Sequence, residues 1–152
     1  MSKTKKIMVA MDFSEYSPMI ADYAGQLAED LGAEILFVNV INQRDIDMVS
    51  QVSMYTDKIS VEGYVDGLKE DRIEKLHNLL KETCCSRIPN RFIVKKGVPF
   101  AELIETAKEE KVDMVIMGAK GRGNIAGMLL GSQAEKMFRH CPVPLLSIRE
   151  KD

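Results

Sequence analysis

The sequence has no long apolar run of the kind that enters or crosses a membrane. The charged N-terminus is followed by only a short apolar stretch before Asp12. That stretch is too short for the core of a signal peptide and far too short for a transmembrane helix. We therefore predict a cytoplasmic protein with no membrane partner.

Cysteine is also scarce. The three cysteines, Cys84, Cys85 and Cys141, form neither an even disulfide framework nor the paired spacing of a zinc knuckle. We interpret them as reduced thiols, as expected in a reducing compartment, and predict no metal site built from protein ligands.

No excess of positive charge is present. The 21 lysines and arginines are offset by 23 aspartates and glutamates, which gives a formal net charge of -2. A broad polyanion-binding face is not indicated, so nucleic acid is not predicted as a partner. Internal repeats and low-complexity segments are absent, and 152 residues suit one domain, which we place at residues 1–152.

Strand-like and helix-like segments alternate along the chain. Short apolar runs predict five strands, and amphipathic spacing between them predicts helices. The first helix should be capped by Ser17 and stopped by Gly32, and the stretch 42–63 is a poorly patterned excursion with a helical turn or two. The predicted strands are Lys5–Met11, Glu34–Val40, Arg91–Lys95, Val112–Met117 and Leu145–Arg149, and the later helices are Tyr64–Cys84, a segment from Pro99, and Gln133–His140.

Such alternation predicts an α/β fold, an open five-stranded parallel sheet with helices on both faces. If the strand order is 3-2-1-4-5, the ligand crevice lies beyond the carboxyl ends of strands one and four. Asp12 and Gly118 would then face each other across it.

The most informative stretch follows the fourth strand. Gly118 ends that strand, and further glycines punctuate a loop that leads into Ser132-Gln133-Ala134-Glu135. The tetrapeptide has the pattern of a capping box and predicts a helix start. A glycine-rich loop followed by a helix N-terminus is typical of a phosphate site, because backbone N–H groups and the helix dipole both favour an anion.

Two common phosphate loops do not fit. A Walker A loop requires lysine before the serine or threonine, whereas Gly131 is followed directly by Ser132. A Rossmann fingerprint would place glycines after the first strand, where the chain has Asp12-Phe13-Ser14 instead.

The pattern Gly118-x2-Gly121-x9-Gly131-Ser132 resembles the signature of the universal stress protein family in its nucleotide-binding branch. The Rossmann-like, adenine nucleotide alpha hydrolase-like fold of that family agrees with the predicted sheet. The resemblance implies ribose contact by Asp12 and adenine contact by the backbone of Val40. It also implies contacts to ribose and phosphates by Gly118, Gly121, Gly131, Ser132 and, through its backbone, Gln133. Met117 is included among the nucleotide-binding residues.

Lys120 and Arg122 could pair with phosphate oxygens, although a solvated loop charge is the more common role for such residues. The ligand implied by the resemblance is ATP, ADP or AMP, with Mg²⁺ held mostly by phosphate oxygens and water. No Walker lysine or motif-supported general base is found, so no catalytic residue is assigned and hydrolysis should be weak at most.

Three functional hypotheses follow. The first is a nucleotide-binding regulatory module of the stress response. The alternative is a dimeric stress protein that binds no nucleotide and works through protein partners. The third, an ATP-consuming enzyme such as a nucleotidyl transferase of related fold, would need further catalytic residues that the sequence does not offer. The last strand, Val143 to Arg149, is predicted at the sheet edge, and the resemblance implies a homodimer through this strand.

Overall fold

Five parallel strands form one sheet in the order β3-β2-β1-β4-β5. The computed structural model describes residues 3–83, 87–119 and 131–150. The predicted strand order is confirmed. The strands are β1 (Lys6–Ala10), β2 (Glu34–Asn42), β3 (Asn90–Gly97), β4 (Met114–Gly118) and β5 (Leu145–Ile148).

Helices cover both faces of the sheet, as expected for strands that are nearly continuous in apolar residues. The helices of the described chain are α1 (Ser17–Leu31), α2 (Gln43–Ser53), α3 (Val61–Lys81), α4 (Pro99–Glu109) and α5 (Ser132–His140). Side chains alternate along β1, so that Ile7 and Val9 pack with α1 and α3, whereas Met8 packs with α4 and α5. None of the helices in these described ranges is long and apolar enough to cross a membrane.

β1 lies at the centre of the sheet between β2 and β4. Ala10 pairs with Val38 of β2, and Val9 pairs with Ile116 of β4. Ile7, Met8 and Val9 are fully buried. The last residues of β1 therefore lie at the switch point of strand order, where the next residue, Met11, still donates its N–H to the Val38 carbonyl at 2.9 Å.

The prediction of a poorly patterned excursion at 42–63 is wrong over much of its length. α2 is an 11-residue helix capped by the Asn42 side chain, which accepts from the N–H of Arg44. Only Ile46 of this helix is buried, where it packs with Ile41 and Val65. Two other apolar residues of this helix, Met48 and Val52, are exposed, so its apolar positions do not together mark one buried face.

Helix α1 confirms one predicted boundary and corrects the other. Gly32 ends the helix in the left-handed conformation, with φ of 66°. Ser17, however, does not cap the helix, because Tyr16 occupies that position and makes no side-chain cap. The Ser17 side chain is buried in the first turn and its hydroxyl lies 3.5 Å from Asp12 Oδ1.

Candidate functional site

A cavity of about 380 Å³ opens at the carboxyl edge of the sheet, over the ends of β1, β2 and β4. We call it the crevice. Helices α2, α4 and α5 begin beside it, and α3 contributes Arg72 to its wall. The predicted site residues that line it are Asp12, Val40, Met117, Gly118, Gly131, Ser132 and Gln133.

Asp12 follows β1 directly and is held in a tight turn. Its Oδ1 accepts from the backbone N–H of Ser14 at 2.9 Å and from the Ser17 hydroxyl at 3.5 Å. The next residue, Phe13, has φ of 58°, an unusual conformation for a residue other than glycine. Its ring packs edge-on against Phe92 of β3, with 6.3 Å between ring centroids. Asp12 is therefore both a turn residue and part of the crevice floor.

The two ends of the glycine-rich loop are fastened to the sheet. Ala119 donates its N–H to the Ile148 carbonyl of β5 at 2.9 Å, and Gly131 donates to the Ala119 carbonyl at 2.9 Å. These two hydrogen bonds place the start of α5 next to the end of β4. Lys120, Gly121 and Arg122, which were also predicted to contact the ligand, lie outside the described residues.

The predicted capping box is wrong. Gly131, not Ser132, is the N-cap of α5, and no side chain caps the helix. Ser132 is the first helical residue and is exposed, while the Glu135 carboxylate pairs with Arg139 at 2.8 Å. The first intrahelical bond runs from the Glu135 N–H to the Gly131 carbonyl at 3.0 Å. The preceding N–H groups of the first turn are those that a helix leaves without an intrahelical partner, and they are suited to an anion.

The side chain of Gln133 has a role that the sequence did not predict. Its Oε1 accepts from the backbone N–H of Phe100 in the first turn of α4, at 3.0 Å. Because α4 has no side-chain cap of its own, Gln133 satisfies one of its N–H groups. This contact ties α5 to α4 at the rim of the crevice.

At the β2 end, two further side chains join the site. Asn39 is buried, with 4% of its surface exposed, and its Nδ2 donates to the Met11 carbonyl at 2.6 Å. Arg72 Nη1 donates to Asn39 Oδ1 and, at 3.3 Å, to the Val40 carbonyl. The polar Asn39 inside the apolar run Leu36–Val40 was a signal in the sequence. Arg72 is one of many charged residues on α3, and nothing in the sequence distinguished it as a site residue.

Among the described residues, the charges that line the crevice are balanced. Two of these residues are acidic, Asp12 and Asp45, and two are basic, Arg44 and Arg72. Within the described ranges, no group of three or more potential metal ligands is found. The most favourable feature for an anion is therefore the α5 N-terminus, and the β2 end offers backbone and side-chain hydrogen bonds.

The profile of the universal stress protein family matches residues 3–149. The chain belongs to the universal stress protein family. Among relatives, Universal stress protein MJ0577 from Methanocaldococcus jannaschii is 28% identical over an alignment that covers 97% of this chain and 96% of the relative.

Solved structures agree with this family assignment. The structure of MJ0577 superimposes with a TM-score of 0.82 at 26% identity and covers 99% of both chains. A universal stress protein in complex with cAMP has a TM-score of 0.63 at 21% identity, covering 97% of this chain and 98% of the other. The Archaeoglobus fulgidus protein in complex with dAMP has a TM-score of 0.64 at 14% identity, covering 97% and 99%.

Proposed function

We propose that this protein binds an adenine nucleotide, ATP or its ADP or AMP counterpart, in the crevice, and acts as a regulatory module of the stress response. The observation that carries the proposal is the meeting of the uncapped α5 N-terminus, Asp12 and the end of β2 in one cavity of about 380 Å³. Solved relatives with cAMP and dAMP support an adenine nucleotide as the ligand class.

The strand order suggests how the nucleotide lies. β4 and β2 flank β1, so their ends are separated by two strand spacings, about 10 Å. The phosphates belong at Gly131 and Ser132, because the helix N-terminus favours negative charge. The base then belongs at the opposite end, beside Val40, and the ribose between them, above Asp12.

Any Mg²⁺ would be bound mainly through phosphate oxygens and water rather than by a protein cage. The carboxylates at the crevice, Asp12 and Asp45, do not form a cluster of potential metal ligands with other described residues. The chemistry supported by the site is recognition of the nucleotide, which favours a binding role over turnover.

Calorimetric titration of Mg-ATP into protein freed of bound nucleotide tests the proposal. We expect saturable binding at one site per chain, and no binding to a Gly131→Val variant, whose added side chain lies at the N-cap of α5. Circular dichroism of the variant serves as the control for folding. Absence of heat at millimolar Mg-ATP with correctly folded wild-type protein would refute the proposal and favour the partner-binding alternative.

We also propose that two chains associate through the last strand. Among the described strands, β5 lies at the edge of the sheet and pairs only with β4. An open strand edge with apolar neighbours such as Leu145 and Leu146 favours pairing with a second copy. Sedimentation equilibrium should give twice the chain mass at micromolar concentration. Pro144 and Ile148 accept hydrogen bonds from the β4 side, so the backbone of the alternate residue Ser147 faces the open edge. Ser147→Pro should therefore shift the population to monomer by preventing strand pairing. A monomeric wild type would contradict this proposal.

A further inference from the structure

Arg72 holds a positive charge at the β2 end of the crevice. Its Nη1 donates to Asn39 Oδ1 and to the Val40 carbonyl. The orientation of the Asn39 amide is fixed independently, because its Nδ2 donates to the Met11 carbonyl at 2.6 Å. The guanidinium is therefore tied to the ends of both β2 and β1 and belongs to the built wall of the crevice.

The bond from Arg72 to the Val40 carbonyl is a weak one. At 3.3 Å it is longer than the usual 2.7–3.2 Å range for an N–H donor. A carbonyl oxygen also has a second lone pair. A ligand atom that reaches the Val40 carbonyl can thus displace or share this bond with Arg72 at little cost.

We propose that Arg72 makes the base end of the crevice accept a 6-oxopurine as well as adenine. The inference rests on the proposed nucleotide-binding function and on the base lying beside Val40. It assigns to Arg72 the role of a specificity-determining residue that acts on position 6 of the purine.

The two bases present opposite groups at this position. A 6-oxo group is an acceptor, which a guanidinium attracts, and pairing of arginine with the O6 edge of guanine is a common recognition geometry. The 6-amino group of adenine is a donor. It can donate to the Val40 carbonyl, but it then lies beside the positive charge of Arg72. The guanidinium therefore offsets the preference for adenine that a bare carbonyl would give.

Inosine triphosphate is the best probe, because it carries the 6-oxo group without the additional 2-amino group of guanine. Calorimetry with Mg-ATP and Mg-ITP should be performed on wild-type protein freed of nucleotide and on Arg72→Ala and Arg72→Gln. The glutamine variant removes the charge but keeps a polar side chain of intermediate length, so it is the milder substitution if Arg72→Ala fails to fold. Arg44→Ala is the matched control, because it removes a second cation from the crevice lining that makes no described contact with Val40.

In the wild type we expect the affinities for the two nucleotides to differ by no more than about tenfold. Loss of Arg72 should raise the preference for ATP by roughly fivefold or more, mainly through weaker Mg-ITP binding. Arg44→Ala should leave the ratio of the two affinities unchanged.

Three results would overturn the inference. One is a folded Arg72→Gln variant with the wild-type ratio. Another is an equal loss of affinity for both nucleotides, which would make Arg72 a residue that only shapes the wall. The third is wild-type protein that binds Mg-ATP and rejects Mg-ITP. If the wild type binds neither nucleotide, the proposed nucleotide-binding function is itself wrong. That outcome differs from the three results above, in which a nucleotide binds but Arg72 does not determine which one.

Discussion

Gln133 shows how one side chain can support the crevice without contacting a ligand. A glutamine directly after Ser132 could have crowded the proposed phosphates. In the structure its Oε1 accepts from Phe100 N at 3.0 Å instead. The backbone of Gln133 stays in the first turn of α5, where the proposed phosphate contacts lie.

Gln133→Ala should lower the free energy of unfolding by about 1 kcal/mol, because a helix N–H of α4 loses its acceptor. Urea denaturation measures the change. Gln43→Ala is the matched control: it removes an exposed hydrogen bond to Asp47 within α2 and should cost less than about 0.5 kcal/mol. Equal effects of the two substitutions would show that the Phe100 contact does not stabilise the protein.

At the scale of helices and strands, ends were harder to predict than the elements themselves. The five strands were predicted because each is a short apolar run, but the caps of α1 and α5 were each assigned to a serine that lies one residue inside the helix. Serine is favoured at an N-cap, but the residue at which a helix begins also depends on tertiary contacts. The Asn42 and Ser60 caps of α2 and α3 were missed, because neither helix start shows a clear apolar stripe.

Two glycines in helical regions should respond to alanine in opposite ways. Gly32 has a φ of 66°, so Gly32→Ala forces a left-handed alanine and should cost about 1 kcal/mol, although the new Cβ has room. Gly67 lies inside α3 with nothing within 4 Å of an added Cβ. Gly67→Ala should stabilise the protein by roughly 0.5–1 kcal/mol. Thermal unfolding of both variants is the measurement, and shifts of the same sign would contradict the assignment.

The start of β4 gives a pH-dependent prediction. Asp113 Oδ2 accepts from the backbone N–H groups of Lys5 at 2.8 Å and Lys6 at 3.0 Å, and these bonds lower the pKa of its carboxyl. Since the pKa is lower in the folded than in the unfolded protein, the carboxylate contributes stability above the unfolded value, about 3.9. That contribution is lost as the pH falls through the folded-state value.

Asp113→Asn should therefore be less stable than the wild type at pH 7, and the difference should shrink as the pH is lowered below about 4. Urea titrations at several pH values measure this. Asp71→Asn, which removes an exposed carboxylate paired with Lys75 at 3.1 Å, should show a smaller difference at pH 7. A difference between Asp113→Asn and wild type that is constant with pH would contradict the role given to the carboxylate.

For the whole molecule, the sequence predicted the arrangement of strands and the position of the crevice. Alternating strands and helices limit the sheet to parallel pairing, and the order 3-2-1-4-5 was predicted for such a doubly wound sheet. Asp12 was selected because it follows a strand and Gly131 because it precedes a helix, whereas Val40 was assigned only from the family resemblance. Arg72 and the Gln133 side chain were not predicted, because their roles depend on contacts between segments 32 or 33 residues apart in the chain.

The central claim is that a nucleotide binds across the ends of β2, β1 and β4, with its phosphates at the α5 N-terminus. The most direct test follows the backbone amide signals by NMR while Mg-ATP is added to isotope-labelled protein freed of nucleotide. The account predicts that the largest shifts fall on Ser132, Gln133, Asp12 and the residues at the end of β2. Saturating shifts confined to another face of the protein, or no shifts at millimolar Mg-ATP, would contradict it.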